Sequence, residues 1–274
     1  MRAITELEEL KKIELDILRS VHSFCQENGI NYSLAFGTLL GAVRHQGFIP
    51  WDDDIDIMML RVDYERFLQS FKHPYYQVYE CNHTSSSNRL NKEKYYLPFA
   101  KVADTRTILK EKVRYETIYG VYIDIFPVDD MPNAGCGFKS FFFGKRVINS
   151  ISTLKIVRIG HRSFVKNLLL FCANVLFSPI SISWLGRMTN KYAQKYNNQG
   201  HVRSAVFVPY DNKPKWVVDK DIFNHTRLLQ FESERFYCPD RYDEYLTALY
   251  GDWRQLPPVE KRVTHHSFDA WWKE

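Results

Sequence analysis

The stretch FGTLLGAVRHQGFIPWDDDIDIMML, Phe36 to Leu60, sets Asp52, Asp53, Asp54 and Asp56 beside a run of large apolar residues. Carboxylates this close repel one another. A fold tolerates them when a positive charge such as a metal ion comes between. In a strand, residues two apart share a face, so Asp54 and Asp56 project together while Ile55 and Ile57 face the core. The two carboxylates then stand roughly 6–7 Å apart along the strand, a spacing that holds one or two hard divalent cations, Mg²⁺ or Mn²⁺. Such cations suit phosphoryl-type transfer, because they neutralise the attacking and leaving oxygens. Upstream, Gly37-Thr38 opens a helix whose first N–H groups lack partners and favour phosphate.

A third carboxylate would complete the site. Asp124, in VYIDIFPV, lies inside an apolar strand, where a lone charge is costly unless it borders the same metal. It could also take the proton from an acceptor hydroxyl. Arg44 is a candidate clamp for donor phosphate, or a partner of Asp52 or Asp53. Lys101, ending YLPFAKV, is a second phosphate candidate against the plain reading of a surface lysine. His265, with His266 beside it, is a third, able to hold phosphate or orient an acceptor. The bland alternative for the acidic cluster is a solvated turn or an opportunistic Ca²⁺ loop.

The 274 residues suffice for a sizeable core, and a 15% aromatic content argues against disorder. Five scattered cysteines with no CxxC pair speak against a disulfide framework or structural zinc, and for a reducing compartment. The amino terminus is charged throughout, with no secretory apolar stretch, which points to a cytoplasmic protein. Leu7, Leu10, Ile13, Ile17, Val21 and Phe24 recur at helical steps, and Gly29 would stop that helix. Further helices are expected over Val62–Ser70 and about Asp240–Tyr250. Strands are expected in YYQVYECN, YYLPFAKVAD, TILKEKV and Val121–Phe126, the last ended by Pro127. NHTSSSNRLNKEK reads as a loop, and the tail as a strand pair, the helix and an extended arm with prolines.

The net charge of +5 conceals an asymmetry. Residues 138–200 hold ten basic and no acidic residues, which leaves 27 basic and 32 acidic residues elsewhere, a net of −5. This basic segment reads as helical. Its run from Asn167 to Gly186 is uncharged, but Asn174, Ser178, Pro179, Ser181 and Ser183 interrupt it. A helix buried in the protein or lying on a membrane surface is therefore favoured over a span. Ten cations without an anion suit anionic lipid or a lipid-linked glycan. Nucleic acid is a weak rival, since the remainder is acidic and no binding motif appears.

With these motifs assembled, the chain resembles the nucleotidyltransferase superfold and, more narrowly, the LicD family, which includes phosphorylcholine transferases and fukutin-related proteins. FGTLLGAVRHQGFIPWDDDIDI, YIDIFPVDDMP and LYGDWRQLPP carry the resemblance, which covers most of residues 5–135 and 225–266. It implies an α/β fold: a nucleotidyltransferase-like mixed sheet flanked by helices, formed by residues 1–137 and 201–274, with 138–200 as a basic helical insertion. It implies transfer of phosphorylcholine or a similar phospho-alcohol from CDP-choline or a related donor to a glycan hydroxyl, with release of CMP. Asp54 and Asp56 match the family's metal-binding pair and Asp124 its third acidic position. The spacing from Thr38 to Asp54 is somewhat longer than the wider superfold usually shows. Asp52 would shorten it, but the pair Asp52-Asp54 would leave no apolar residue between them to anchor the strand. Rival readings are a nucleotidyltransferase acting at the other phosphorus, a metal-dependent glycosyltransferase, and an inactive glycan- or membrane-binding module. With no membrane anchor read at the amino terminus, a cytoplasmic location at the inner face of the membrane is expected, before the glycan is exported.

Overall fold

The computed structural model describes residues 1–81, 95–111, 119–157, 163–206, 216–263 and 268–273. A short strand β1 (Arg2–Ile4) leads into α1 (Leu7–Asn28). The helical spacing of Leu10, Ile13, Ile17, Leu18 and Val21 turns one stripe of α1 into the core, where all five are buried. Gly29 ends the helix at φ 58°, a left-handed conformation that glycine adopts without steric penalty. Next come β2 (Ser33–Leu34), α2 (Phe36–His45), β3 (Asp56–Leu60), α3 (Arg61–Ser70), β4 (Tyr76–Tyr79), β5 (Ala100–Asp104), β6 (Thr107–Glu111) and β7 (Tyr122–Met131).

Among the described residues the main sheet runs β2-β3-β7-β5-β4, with β8 (Arg203–Val206) on β7 and β9 (Val218–Asp219) on β8. Only β3 and β7 are parallel in this sheet; the other neighbours are antiparallel. These two central strands supply much of the core, with Ile57, Met58, Met59, Ile123 and Ile125 almost completely buried. The mixed α/β architecture matches the expected class.

β7 does not stop at Pro127 as the sequence suggests; it continues to Met131. On one edge β7 pairs with β3 from Asp124 to Val128. On the other it pairs with β5 through Tyr122–Ile125 and with β8 through Val128–Met131. Pro127 falls in the gap between those two partners, where its missing N–H breaks no ladder.

Between β7 and β8 the chain builds α4 (Cys136–Ile156), α5 (Phe164–Leu176) and α6 (Ile182–Ala193). The basic segment is helical, as expected, and both ends of it attach to adjacent antiparallel strands. The uncharged run is not one buried helix. It breaks between α5 and α6 at Ser178–Ser181, where Pro179 cannot continue a helix and the Ser181 hydroxyl accepts from Trp184 N at 3.0 Å to start a new one. No helix among the described residues is long and apolar enough to cross a membrane. The segment is pinned to the sheet through Arg61, which makes a two-pronged pair with the buried Asp129 and donates to Asn190 Oδ1 at 3.0 Å.

The tail forms the hairpin β10 (Thr226–Phe231) and β11 (Glu234–Pro239), then α7 (Tyr242–Tyr250). The expected extended arm ends in a strand, β12 (Phe268–Trp272), lodged between β1 and β6 in a separate small sheet. That pairing joins the two ends of the chain, so neither local pattern could announce it.

Candidate active site

The site forms where β3 and β7 lie side by side. Their parallel register sets Asp56 opposite Asp124, and the antiparallel β5 sets Lys101 opposite Asp124 on the other edge. Three strands thus bring two carboxylates and an ammonium to one level of the sheet. Lys101 is 3% exposed, its Nζ donates to Asp124 Oδ1 at 2.7 Å, and it lies 3.3 Å from the Tyr122 ring centroid. Its charge is therefore directed inward, onto Asp124, and it orients that carboxylate.

α2 approaches from the other side. Thr38 is buried, and its hydroxyl accepts from the Asp56 backbone N–H at 2.8 Å. That bond ties the first turn of the helix to the first residue of β3. Phe36 adopts φ 43°, an unusual conformation for a side-chain-bearing residue, as the chain turns from Ala35 into the helix. Gly37 has a specific reason to lack a side chain: a Cβ there would stand 2.5 Å from Asp52 Oδ2. The Asp52 carboxylate therefore rests against the opening turn of α2, on the positive end of the helix dipole.

β3 begins at Asp56, so Asp54 precedes the strand and the alternation expected for the Asp54/Asp56 pair does not place it. The loop does. Asp52, Asp53 and Asp54 each offer a carboxylate oxygen within 4.8 Å of the others. Asp56 is buried, and its carboxyl is pushed well above the usual range, first by burial and then by the charges of Asp54, Asp124 and Asp52. These groups form one electrostatic unit. An all-oxygen set of converging carboxylates fits a hard divalent cation.

The structure adds residues that the sequence did not single out. Glu14, on α1, is 4% exposed and its Oε2 has no hydrogen-bond partner. Burial raises its carboxyl well above the usual range, and the charges of Asp54, Asp53, Asp124 and Asp52 raise it further. In the sequence Glu14 looks like one more acid on a charged helix. Its position on the buried stripe, between Ile13 and Ile17, was the available signal. Tyr250 ends α7, and although 45% exposed, its phenol is pushed up by burial and then by Asp56, Asp52 and Asp54. It belongs to the LYGDW motif, which marked the region without marking the residue.

Arg44 and His265 are the remaining candidates. Arg44 Nη1 donates to the carbonyls of Trp253 at 2.9 Å and Gln255 at 3.4 Å, so it anchors the tail onto α2. Burial lowers its pKa. His265 lies outside the described residues.

Residues 29–166 match the family model described as "LicD/FKTN/FKRP, nucleotidyltransferase domain". The chain is 32% identical over 274 residues to the lipopolysaccharide cholinephosphotransferase LicD of Haemophilus influenzae, covering 99% of each protein. It is also 40% identical over 76 residues to an uncharacterized protein of Rickettsia typhi, covering 26% of this chain and 25% of that one. The loop of aspartates, the Gly37-Thr38 turn and the strand bearing Asp124 all fall inside the matched region, and the chain belongs to the LicD family.

Proposed function

We propose that this protein transfers phosphorylcholine, or a closely similar phospho-alcohol, from a CDP-activated donor to a hydroxyl of a surface-glycan precursor such as lipopolysaccharide. Support comes from the family, from a near full-length relative named for that transfer to lipopolysaccharide, and above all from one observation. The Asp52–Asp54 loop gathers its carboxylates within 4.8 Å of one another, and the charges of Asp54, Asp124 and Asp52 reach the buried Asp56 of β3, which stands opposite Asp124 of β7. The nucleotidyltransferase-like description of the sheet belongs to the same reading.

Asp54, Asp56 and Asp124 would hold Mg²⁺ or Mn²⁺, with Asp52 supporting Asp54 from the α2 side. The cation, when bound, supplies charge neutralisation at the phosphate oxygens. The first turn of α2, at Gly37 and Thr38, would place backbone N–H groups toward donor phosphate beside the cation that Asp52 helps to hold. The acceptor hydroxyl oxygen attacks the phosphorus bearing the alcohol, the P–O bond to CMP breaks, and CMP leaves. Asp124, oriented by Lys101, accepts the hydroxyl proton. An aromatic group adjoins α2: the Phe36 ring lies 5.2 Å from Phe126 and 5.4 Å from Trp216, centroid to centroid. Phe126 is buried, so Phe36 and Trp216 are the partly exposed rings that would favour a quaternary ammonium headgroup by cation–π attraction. We place the reaction on the cytoplasmic side, where nucleotide-activated donors are made.

A second reading, attachment of a nucleotide with release of pyrophosphate, draws on the family model's nucleotidyltransferase description. Titration calorimetry with CDP-choline, with and without Mg²⁺, on the wild type and on Asp54→Ala/Asp56→Ala, separates the two. Metal-dependent binding that the double variant loses is the expected result. Binding of CTP or ATP with none of CDP-choline would replace the transferase reading with the second one.

A further inference from the structure

α5 is rich in apolar residues but buries few of them against the rest of the protein. Its inward side is narrow: Leu170 is its buried residue, and Asn174 lies beside it. Asn174 Nδ2 donates to the carbonyls of Leu154 at 3.2 Å and Leu170 at 2.8 Å, and Lys155 of α4 reaches across to the Phe177 carbonyl at 2.8 Å. Its outward side is apolar. Phe164, Leu168, Phe171 and Val175 are all at least half exposed, and at 100° per residue they fall within an arc of about 60°. Leu169 and Leu176 widen that exposed apolar arc to about 160°. Water gives such a face no stability, and an exposed apolar surface of this extent marks a contact.

The charge pattern identifies the occupant. Residues 138–200 contain no acid. Lys139, Arg146, Lys166, Arg187, Lys191 and Lys195 are exposed in this segment, and Lys166 is in α5 itself. A second copy of the chain would bring basic surroundings against basic surroundings, whereas anionic headgroups complement them. Length decides the orientation. Thirteen residues of helix extend about 20 Å, against the roughly 30 Å of a bilayer core. On the neighbouring helices, Phe143 of α4 and Trp184 of α6 are exposed apolar side chains of the kind that settle at a headgroup boundary.

We propose that α5 lies in the plane of an anionic membrane surface, its Phe164–Leu168–Phe171–Val175 face in the headgroup–acyl boundary and the surrounding lysines and arginines on the headgroups. This places a lipid-linked acceptor within reach of a protein docked on one leaflet. That last link rests on the transferase reading; the membrane contact does not.

Flotation of the full-length protein with vesicles of phosphatidylcholine alone, or phosphatidylcholine mixed with phosphatidylglycerol, tests it without donor or glycan. The wild type is expected to float with the mixed vesicles, less so at high salt. Phe164→Ser/Leu168→Ser/Phe171→Ser, which removes three large apolar side chains, is expected to weaken binding about a hundredfold or more, with an unchanged thermal melt. Should the triple variant fail to fold, Phe164→Ser and Leu176→Ser singly are expected to show graded losses. Asp54→Ala/Asp56→Ala is expected to bind vesicles like wild type, so failure of the transferase reading would leave this result intact. No flotation of the wild type, or flotation undiminished in the variants, overturns the proposal. So does a dimer in analytical ultracentrifugation that the triple variant splits, which would make the face an interface between copies.

Discussion

β7 carries acidic residues at both ends, and the two ends treat them in opposite ways. Near its end, Asp129 and Asp130 are matched by cations. Arg61 grips Asp129, Asn197 Nδ2 donates to the same carboxylate at 2.7 Å, and Lys220 Nζ lies 2.7 Å from Asp130. Near its beginning, Asp124 shares Lys101 with an environment that also holds Asp52, Asp54, Asp56 and Glu14. Burial drives up both Asp56 and Glu14, and neighbouring carboxylates push them further. Carboxylates that hold a fold together come with their counter-charges. A surplus of carboxylates in a buried place stores repulsion that a ligand can relieve.

The largest expected difference between the two ends is in activity. Asp54→Ala/Asp56→Ala should lower transfer by about a thousandfold or more, while the metal-free melting temperature holds or rises as repulsion is removed. Product release from CDP-choline and a thermal scan of the same preparation read both. A large fall in stability would mean that these aspartates behave like Asp129.

Arg61→Ala reverses the comparison. It leaves Asp129 buried without its guanidinium and unpins the helical segment from the sheet. Stability should fall by about 3–5 kcal/mol, read from the urea midpoint. A variant as stable as wild type would remove the distinction between matched and surplus carboxylates.

Gly37→Ala probes the contact between α2 and the acidic loop. The added Cβ must displace Asp52, whose oxygen would be 2.5 Å away. Affinity for Mn²⁺, measured by its paramagnetic signal, should weaken about tenfold, with little change in melting temperature. Unchanged affinity would separate Asp52 from the cation.

The smallest effect is expected from Glu14→Gln, which keeps the shape and removes the ionisation. The folded-state pKa of Glu14 lies above the ordinary 4.5, so its protonated form favours folding. That contribution is complete below the unfolded value and is lost as pH rises through the folded one. Metal-free wild type should lose stability as pH climbs above about 4.5, and Glu14→Gln should lose less, by about 1 kcal/mol at neutral pH. Identical pH profiles of melting temperature would place Glu14 outside the electrostatic unit.

The aspartate cluster, the glycine-threonine turn and the strand of Asp124 were legible because each is a local pattern with a local physical cost. An apolar strand containing one acid, or four acids in five positions, requires explanation wherever it occurs. The strand through Pro127 was not legible, because proline reads as a terminator until the gap between β5 and β8 is known. Arg44 and Lys101 were equally ambiguous. A cation's role depends on what faces it, and their partners, Trp253 with Gln255 and Asp124, are brought in by chain segments distant in sequence or by strand register.

By itself the sequence determined the family, the mixed α/β class and the helical nature of the basic segment, and it singled out the acids on which the candidate site is read. Periodicity, composition and short-range spacing carry all of these. Tertiary structure alone decided that Asp54 joins Asp52 and Asp53 in a loop, that Lys101 serves Asp124, that Glu14 enters the cluster from α1, and that α5 turns its apolar face outward. Each depends on which surfaces meet, and that is settled by strand register and by the packing of elements far apart along the chain.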